Sequence, residues 1–304
     1  MEIKYGKQIE INNIIERNID LFICAENHEK RSYSLYEKLF VSNTITDSIV
    51  LCYKDLICDD AKDKVIKIKI NNHNDIYDLL DQKFKNFNNK KLVIVVDYSC
   101  MTKSWYYSII LYLKNKKNDI NDITVFFSYT PAKYHEPKMP KLNTEIGPLP
   151  GKYVVTTDKP KALIVCLGYE QNKAEGIIEY LDPKISYLFY TKPASENKFV
   201  KTLELNNENI LNDRIKYTIK YPFNDLIFLE RELTSLYFNL KDEYSIVIAP
   251  LGPKPFTFIS MLMSIKYDDI DIWRVGSGYD INEYDNEPVD DKSFIICEVL
   301  FEQD

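Results

Sequence analysis

Tyr244–Met263 reads YSIVIAPLGPKPFTFISMLM, and its reading decides the fold class. Ser245 to Ala249 is an apolar, β-branched run of the kind that forms a strand buried on both faces. A hinge follows, Pro250-Leu251-Gly252-Pro253-Lys254-Pro255. Phe256, Phe258, Ile259, Met261, Leu262 and Met263 then predict a largely buried helix. Strand, tight glycine-containing turn and helix make the unit in which α/β proteins hold ligands. The helix start offers free N–H groups and the positive end of a dipole. Lys254 adds a charge at that point.

A similar stretch lies upstream. Lys91 to Leu113 reads KLVIVVDYSCMTKSWYYSIILYL. With Lys103 laid on Lys254, Trp105 meets Phe256, Tyr107 meets Phe258, Leu111 meets Leu262, and Val95-Val96 meets Ile246-Val247. A second pair aligns without a gap: LFICAENHEKRSYSLYEKL from Leu21 over LIVCLGYEQNKAEGIIEYL from Leu163. There Cys24 meets Cys166, Arg31 meets Lys173 and Leu39 meets Leu181. The two pairs come in the same order in each half. The expectation is an internal duplication of an α/β unit of about 150 residues, giving two Rossmann-like units with mainly parallel sheets. The plainer alternative is that any two strand–helix units look alike.

The chain has 304 residues, enough for two domains, and a net charge of −7. That charge argues against a bulk electrostatic grip on nucleic acid, while a local basic pocket stays open. The six cysteines, Cys24, Cys52, Cys58, Cys100, Cys166 and Cys297, form no C-x-x-C pair. Cys24, Cys52, Cys166 and Cys297 sit in apolar runs, a reduced intracellular pattern. The start is polar and no run reaches transmembrane length, so a cytoplasmic, membrane-free protein is expected. The 23 tyrosines read as composition bias.

Taken in order, strands are expected at Asp20–Ala25, Ser48–Tyr53, Val65–Ile70, Val93–Asp97 and Ile123–Tyr129. Helices are expected at Arg31–Phe40, from Asn74 or Asp75 (as cap) to Phe84, and from Lys103 to Lys114. Asp59–Lys64 reads as a charged turn. AKYHEPKMPKLNTEIGPLPG, from Ala132 to Gly151, holds four prolines and two glycines and reads as a connector. The domains are thus expected at 1–131 and 152–304, with 132–151 between. In the second half, strands are expected at Ala162–Leu167, Ile185–Thr191 and Ile270–Val275, and helices at Lys173–Leu181 and Asp225–Leu240. Asn224 is the expected cap of the latter. Val200–Leu211 has no clear pattern. Gly276-Ser277-Gly278 reads as a turn, and Ser293–Leu300 as a final strand on a sheet edge.

The candidate site residues fall in the loops that follow strands. Lys103 and Lys254 occupy equivalent helix starts, where the dipole disfavours a cation. An anionic partner such as phosphate would account for both, and so would two solvated lysines. Arg31 and Lys173 are the second cationic pair, with a solvated helix face as the plain alternative. Gly168, Tyr169, Ser99 and Gly252 belong to the same loops. Glu26, Glu29 and Glu170 suit helix caps, a ribose contact or a general base. Asp97 ends a strand and is not duplicated, since Ile248 stands opposite. Cys100 lies near a helix start, where a thiol pKa falls. Of the histidines, His28 is in a site loop, and His73 and His135 read as surface residues. Trp273, Tyr279 and Tyr284 are candidates for stacking on a base. No metal-ligand spacing, nucleophile elbow or Walker A pattern occurs, so no metal or cofactor is expected.

The Gly252-Pro253-Lys254 turn after an apolar strand resembles the Gly-Thr-Lys type motif of CRISPR-associated Rossmann fold (CARF) domains. Those domains pair about a two-fold axis and sense cyclic oligonucleotide messengers in antiviral defence. The resemblance covers a few short motifs. Pro253 stands where a hydroxyl residue is usual, and the first half reads Met101-Thr102-Lys103 without the glycine. It implies a CARF-like sensor or regulatory subunit, binding a nucleotide or cyclic nucleotide between two pseudo-symmetric halves. Lys103 and Lys254 would hold phosphate, assisted by Arg31 and Lys173. No effector domain follows residue 304, so a protein partner carrying the effector activity is expected. Two other readings stand beside it. One is a nucleotide or N-glycosidic-bond hydrolase using Glu26, Asp97 or Glu170. The other is a non-catalytic scaffold subunit of a defence complex.

Overall fold

The computed structural model describes residues 1–54, 65–87, 91–116, 120–138, 143–276, 286–290 and 293–303. The expected turn at Asp59–Lys64, Cys58, Ser277-Gly278, Tyr279 and Tyr284 lie outside them. The strands are β1 (Glu2–Ile9), β2 (Asn18–Glu26), β3 (Thr44–Cys52), β4 (Val65–Lys69), β5 (Lys91–Asp97), β6 (Asp122–Tyr129), β7 (Glu145–Pro148), β8 (Lys161–Cys166), β9 (Ile185–Thr191), β10 (Thr218–Tyr221), β11 (Ser245–Pro250), β12 (Ile270–Gly276) and β13 (Ile295–Glu302). The helices are α1 (Ser34–Phe40), α2 (Asn74–Phe84), α3 (Lys103–Asn115), α4 (Lys173–Leu181), α5 (Asn197–Asn206), α6 (Glu208–Asp213), α7 (Leu226–Leu240) and α8 (Lys254–Lys266).

Among the described residues the strands form two sheets, in the orders β1-β13-β6-β5-β2-β3-β4 and β10-β9-β8-β11-β12-β7. Each has a parallel core of five strands. In the first, the chain runs β2, β3, β4 outward, then crosses back to β5 and β6. In the second it runs β8, β9, β10, then crosses back to β11 and β12. The order of the parallel strands is therefore the same in both, and it is the Rossmann order. The molecule is α/β with two Rossmann-like units. An antiparallel strand flanks the fifth parallel strand in each, β13 beside β6 and β7 beside β12.

The parallel strands are apolar because helices cover them. In the first unit Phe22, Cys24, Val50, Cys52, Val95 and Phe126 pack with Leu35 and Leu39 of α1. In the second, Leu163, Val165, Leu188, Val247 and Ala249 pack with Ala174, Ile177 and Leu181 of α4. The helices after the fourth parallel strands, α3 and α8, both have thirteen residues and both begin at the paired lysines.

Several expectations change. The unit boundaries shift: Met1–Lys133 and Asp280–Asp304 form one compact unit, and Tyr134–Tyr279 the other. The final strand is not on an edge. β13 lies between β1 and β6, bonded on both sides. Part of the 132–151 connector is ordered into the second unit, because β7 pairs with β12 and Leu149 N donates to Ile272 O at 2.7 Å. The helix caps also differ. His73 precedes α2 at the cap position, while Asp75 accepts from the amides of Asn71 and Asn72. Asp225, not Asn224, caps α7 by accepting from Phe228 N at 2.8 Å. The unclear segment 200–211 belongs to α5 and α6.

Candidate functional site

In an open α/β sheet, ligands bind beyond the carboxyl ends of the strands, where the chain's direction of travel across the sheet reverses. In the first unit that place lies beyond β2 and β5, in the second beyond β8 and β11.

In the first unit, Glu26 ends β2 and Lys67 Nζ on β4 lies 3.0 Å from its carboxylate. Burial and then the Glu26 charge push the Tyr33 phenol up. Arg31 follows in a short 3-10 turn, Lys30–Ser32, and is only 4% exposed. Its Nε donates to Glu29, its Nη1 donates to Thr130 O at 2.9 Å, and its guanidinium lies 5.7 Å from the Tyr129 ring centre. Burial lowers the Arg31 pKa, but Tyr129, Cys100 and Glu29 outweigh it and the net direction is up. Arg31 is thus a cationic staple between the β2 loop and the end of β6, not a residue on a solvated helix face.

Across the switch point, Asp97 ends β5 and is buried. Its Oδ1 accepts from the backbone and hydroxyl of Ser99, and Ser99 Oγ accepts from Thr130 N at 2.7 Å. Asp97 and Ser99 therefore shape the loop. Cys100 is 4% exposed, with Ser32 Oγ at 3.5 Å from its Sγ and Tyr53 OH donating to its carbonyl at 2.6 Å. The loop after β2 and the loop after β5 meet there. Thr102 caps α3, its Oγ1 accepting from Trp105 N. Lys103 is the first residue of α3 and half-buried. Burial holds the nearby Cys24 thiol well above its ordinary range, so it stays protonated.

In the second unit the two loops touch through glycines. A Cβ on Gly252 would lie 2.5 Å from Cys166 Sγ and 2.6 Å from Leu167 O. One on Gly168 would lie 2.8 Å from Leu251 O. Only residues without a side chain permit that approach. Asn207 Nδ2 donates to Gly168 O at 3.0 Å and Asn206 Nδ2 donates to Tyr169 O at 2.6 Å. Lys173 pairs with Glu170 at 2.6 Å. Asn172, before α4, takes the left-handed conformation, φ 66°. Lys254 opens α8, preceded by Pro253, which supplies no side-chain cap, and followed by Pro255. His135, read as a surface residue, is half-buried, its Nδ1 3.4 Å from Tyr169 OH.

The structure thus places Lys103, Ser99, Asp97, Glu26 and Arg31 around one switch point, and Lys254, Gly252, Gly168, Tyr169, Glu170 and Lys173 around the other. Trp273 lies on β12, its indole bonded to Asp271. Sequence reasoning missed the Asn206–Asn207 pair, which lay in the segment without a pattern. It also missed a cleft of about 590 Å³ beside β9 and β10, lined by Tyr190, Glu204, Leu205, Glu208, Thr218 and Lys220. The Glu204 carboxylate there takes bonds from Tyr190 OH and Lys192 Nζ, both at 2.7 Å. Among the described residues, no group of three or more His, Cys, Asp or Glu is placed to hold a metal ion, and no helix is long and apolar enough to cross a membrane. No protein-family model matches the chain, and no curated protein matches it.

Proposed function

We propose that this chain is a cytoplasmic sensor or regulatory subunit that binds a nucleotide-type signal, cyclic oligonucleotides included, at the carboxyl edges of its Rossmann-like sheets. The setting is antiviral defence, with a partner protein supplying the effector activity. One observation carries the reading. At the same topological position in both units, a thirteen-residue helix begins with a lysine beside the switch point. A cation opposes the dipole there, and an anionic ligand turns the cost into a gain.

Thr102 accepts a bond from the first turn of α3, whereas Pro253 gives α8 no side-chain cap; Pro255, without an N–H, removes one first-turn donor from α8, so the Lys254 side chain would carry most of a phosphate contact there. Phosphate would approach α8 at Lys254 and the Gly252 turn, and Lys173, the first residue of α4, would assist from the end of the loop after β8. Arg31, committed to Glu29 and Thr130, would order its loop and not receive the ligand directly.

The alternative, a nucleotide or N-glycosidic-bond hydrolase, would use Glu26, Asp97 or Glu170, which meet Lys67, Ser99 and Lys173 respectively. Isothermal titration against linear and cyclic mono- and dinucleotides tests the proposal. Lys254→Ala is expected to weaken binding roughly 10- to 150-fold, the worth of a charge-assisted hydrogen bond. Binding that survives Lys103→Ala combined with Lys254→Ala would remove the site.

A further inference from the structure

The loop after β8 is held with more care than a simple connection needs. Asn206 and Asn207, the last residue of α5 and the one after it, each bond a carbonyl of that loop, at Tyr169 and Gly168. Asn207 is 4% exposed and its amide also donates to Leu203 O at 2.9 Å. Such a buried amide fixes the backbone of residues 168–169, and with it the root of the Tyr169 side chain.

That ring stands in a group of four. Phe199, His135 and Tyr134 have ring centres 5.6, 6.2 and 6.4 Å from Tyr169. Tyr134 meets Phe199 edge-on at 5.0 Å. All four are only half-buried. One side of Tyr169 packs against the core of the unit.

Position gives the cluster its use. Gly168 abuts Leu251 and Gly252 abuts Leu167, so Tyr169 is one residue from the crossing of the two loops, and Lys254 is two residues from it on the other side. From this we infer that Tyr169, flanked by His135, is a stacking platform for a nucleobase whose phosphate sits at the start of α8. The inference rests on the proposed function and narrows it to base-bearing ligands, as opposed to inorganic phosphate or sugar phosphates. Aromatic faces accept any base, and Tyr brings a large face with little conformational entropy to lose. By the alignment of Leu21 with Leu163, the counterpart of Tyr169 in the first unit is Asn27. Its side chain is turned into the loop, accepting from Glu29 N at 2.9 Å. That position of the first unit therefore offers no equivalent ring.

The test is isothermal titration of the full chain with AMP, GMP, cyclic di-AMP and cyclic di-GMP, with ribose 5-phosphate as the probe lacking a base. Tyr169→Ala is expected to weaken nucleotide binding roughly 5- to 150-fold, the range for loss of one stacked base. Ribose 5-phosphate should bind wild type and variant alike, or neither. Tyr169→Phe should stay within about twofold of wild type, since the face is kept. Nucleotide binding that persists in Tyr169→Ala, or a loss equal for ribose 5-phosphate, overturns the platform and leaves the phosphate site standing. If no nucleotide binds the wild type, both the platform and the proposed function fall.

Discussion

Replacing Gly252 by alanine puts a methyl group where the structure has no room. The new Cβ would lie 2.5 Å from Cys166 Sγ and 2.6 Å from the carbonyl oxygen of Leu167. Both distances are about 1 Å inside ordinary van der Waals separation. The sulfur can turn about one bond, but the carbonyl belongs to the backbone that leaves β8. The loop after β11 must therefore lift away, straining the Leu251 N–H bond to Cys166 O, 3.0 Å long. Overpacking costs about 1–3 kcal/mol, and a weakened backbone bond about 1 more. The expected loss is about 2–4 kcal/mol in the second unit. In urea, with a slope of about 2 kcal/mol/M, the midpoint of that unit falls by about 1–2 M. Hydrogen exchange across residues 245–263 assigns the transition to the unit. Gly147→Ala is the control, because nothing lies within 4 Å of its new Cβ. It should shift stability by no more than about 0.5 kcal/mol. A Gly252→Ala midpoint within about 0.25 M of wild type, which is about 0.5 kcal/mol at that slope, would refute the claim that this contact is tight.

Two further outcomes concern the first unit. Arg31→Met removes a buried cation from Glu29 and from Thr130 O, and should cost about 3 kcal/mol, the scale for breaking a buried ion pair. A loss below about 1 kcal/mol in urea would mean that the staple is dispensable. Glu287 is held down to about 2 by its hydrogen bonds to Lys30 and then Lys133. A depressed carboxylate contributes stability that is complete above its ordinary value of 4.5 and disappears as pH falls through about 2. Carboxyl-detected NMR titration should find that low midpoint in wild type and a rise toward 4.5 in Lys30→Met. An unchanged midpoint would show that Lys30 does not hold it.

Local pattern was enough for the elements that flank the candidate sites. The apolar runs Val93–Val96 and Ser245–Ala249 pointed to strands, and the lysines after them marked the first residues of α3 and α8. Lys173–Leu181 and Ile185–Thr191 read correctly to the residue. These segments are long, periodic and bounded by turn residues, and that is information a neighbour in sequence can carry.

Choice of partner was not in the pattern. The run Ile295–Phe301 is apolar apart from Glu298, like the strands of the second unit, yet its hydrogen bonds go to β1 and β6, far back in the chain. Four residues, Thr218–Tyr221, were too few to mark β10 against its polar surroundings. Arg31 reads as a surface cation until Thr130, 99 residues away, supplies the carbonyl that buries it. The asparagines that clamp Gly168 and Tyr169 are ordinary polar residues in one dimension. The sequence by itself determined which segments become strands and helices, and where the cationic turns fall, because propensity and hydrophobic period act over a few residues. The tertiary structure alone decided sheet membership, strand order and which polar groups are spent inside the fold, because a hydrogen bond depends on what lies across space and not on what lies along the chain.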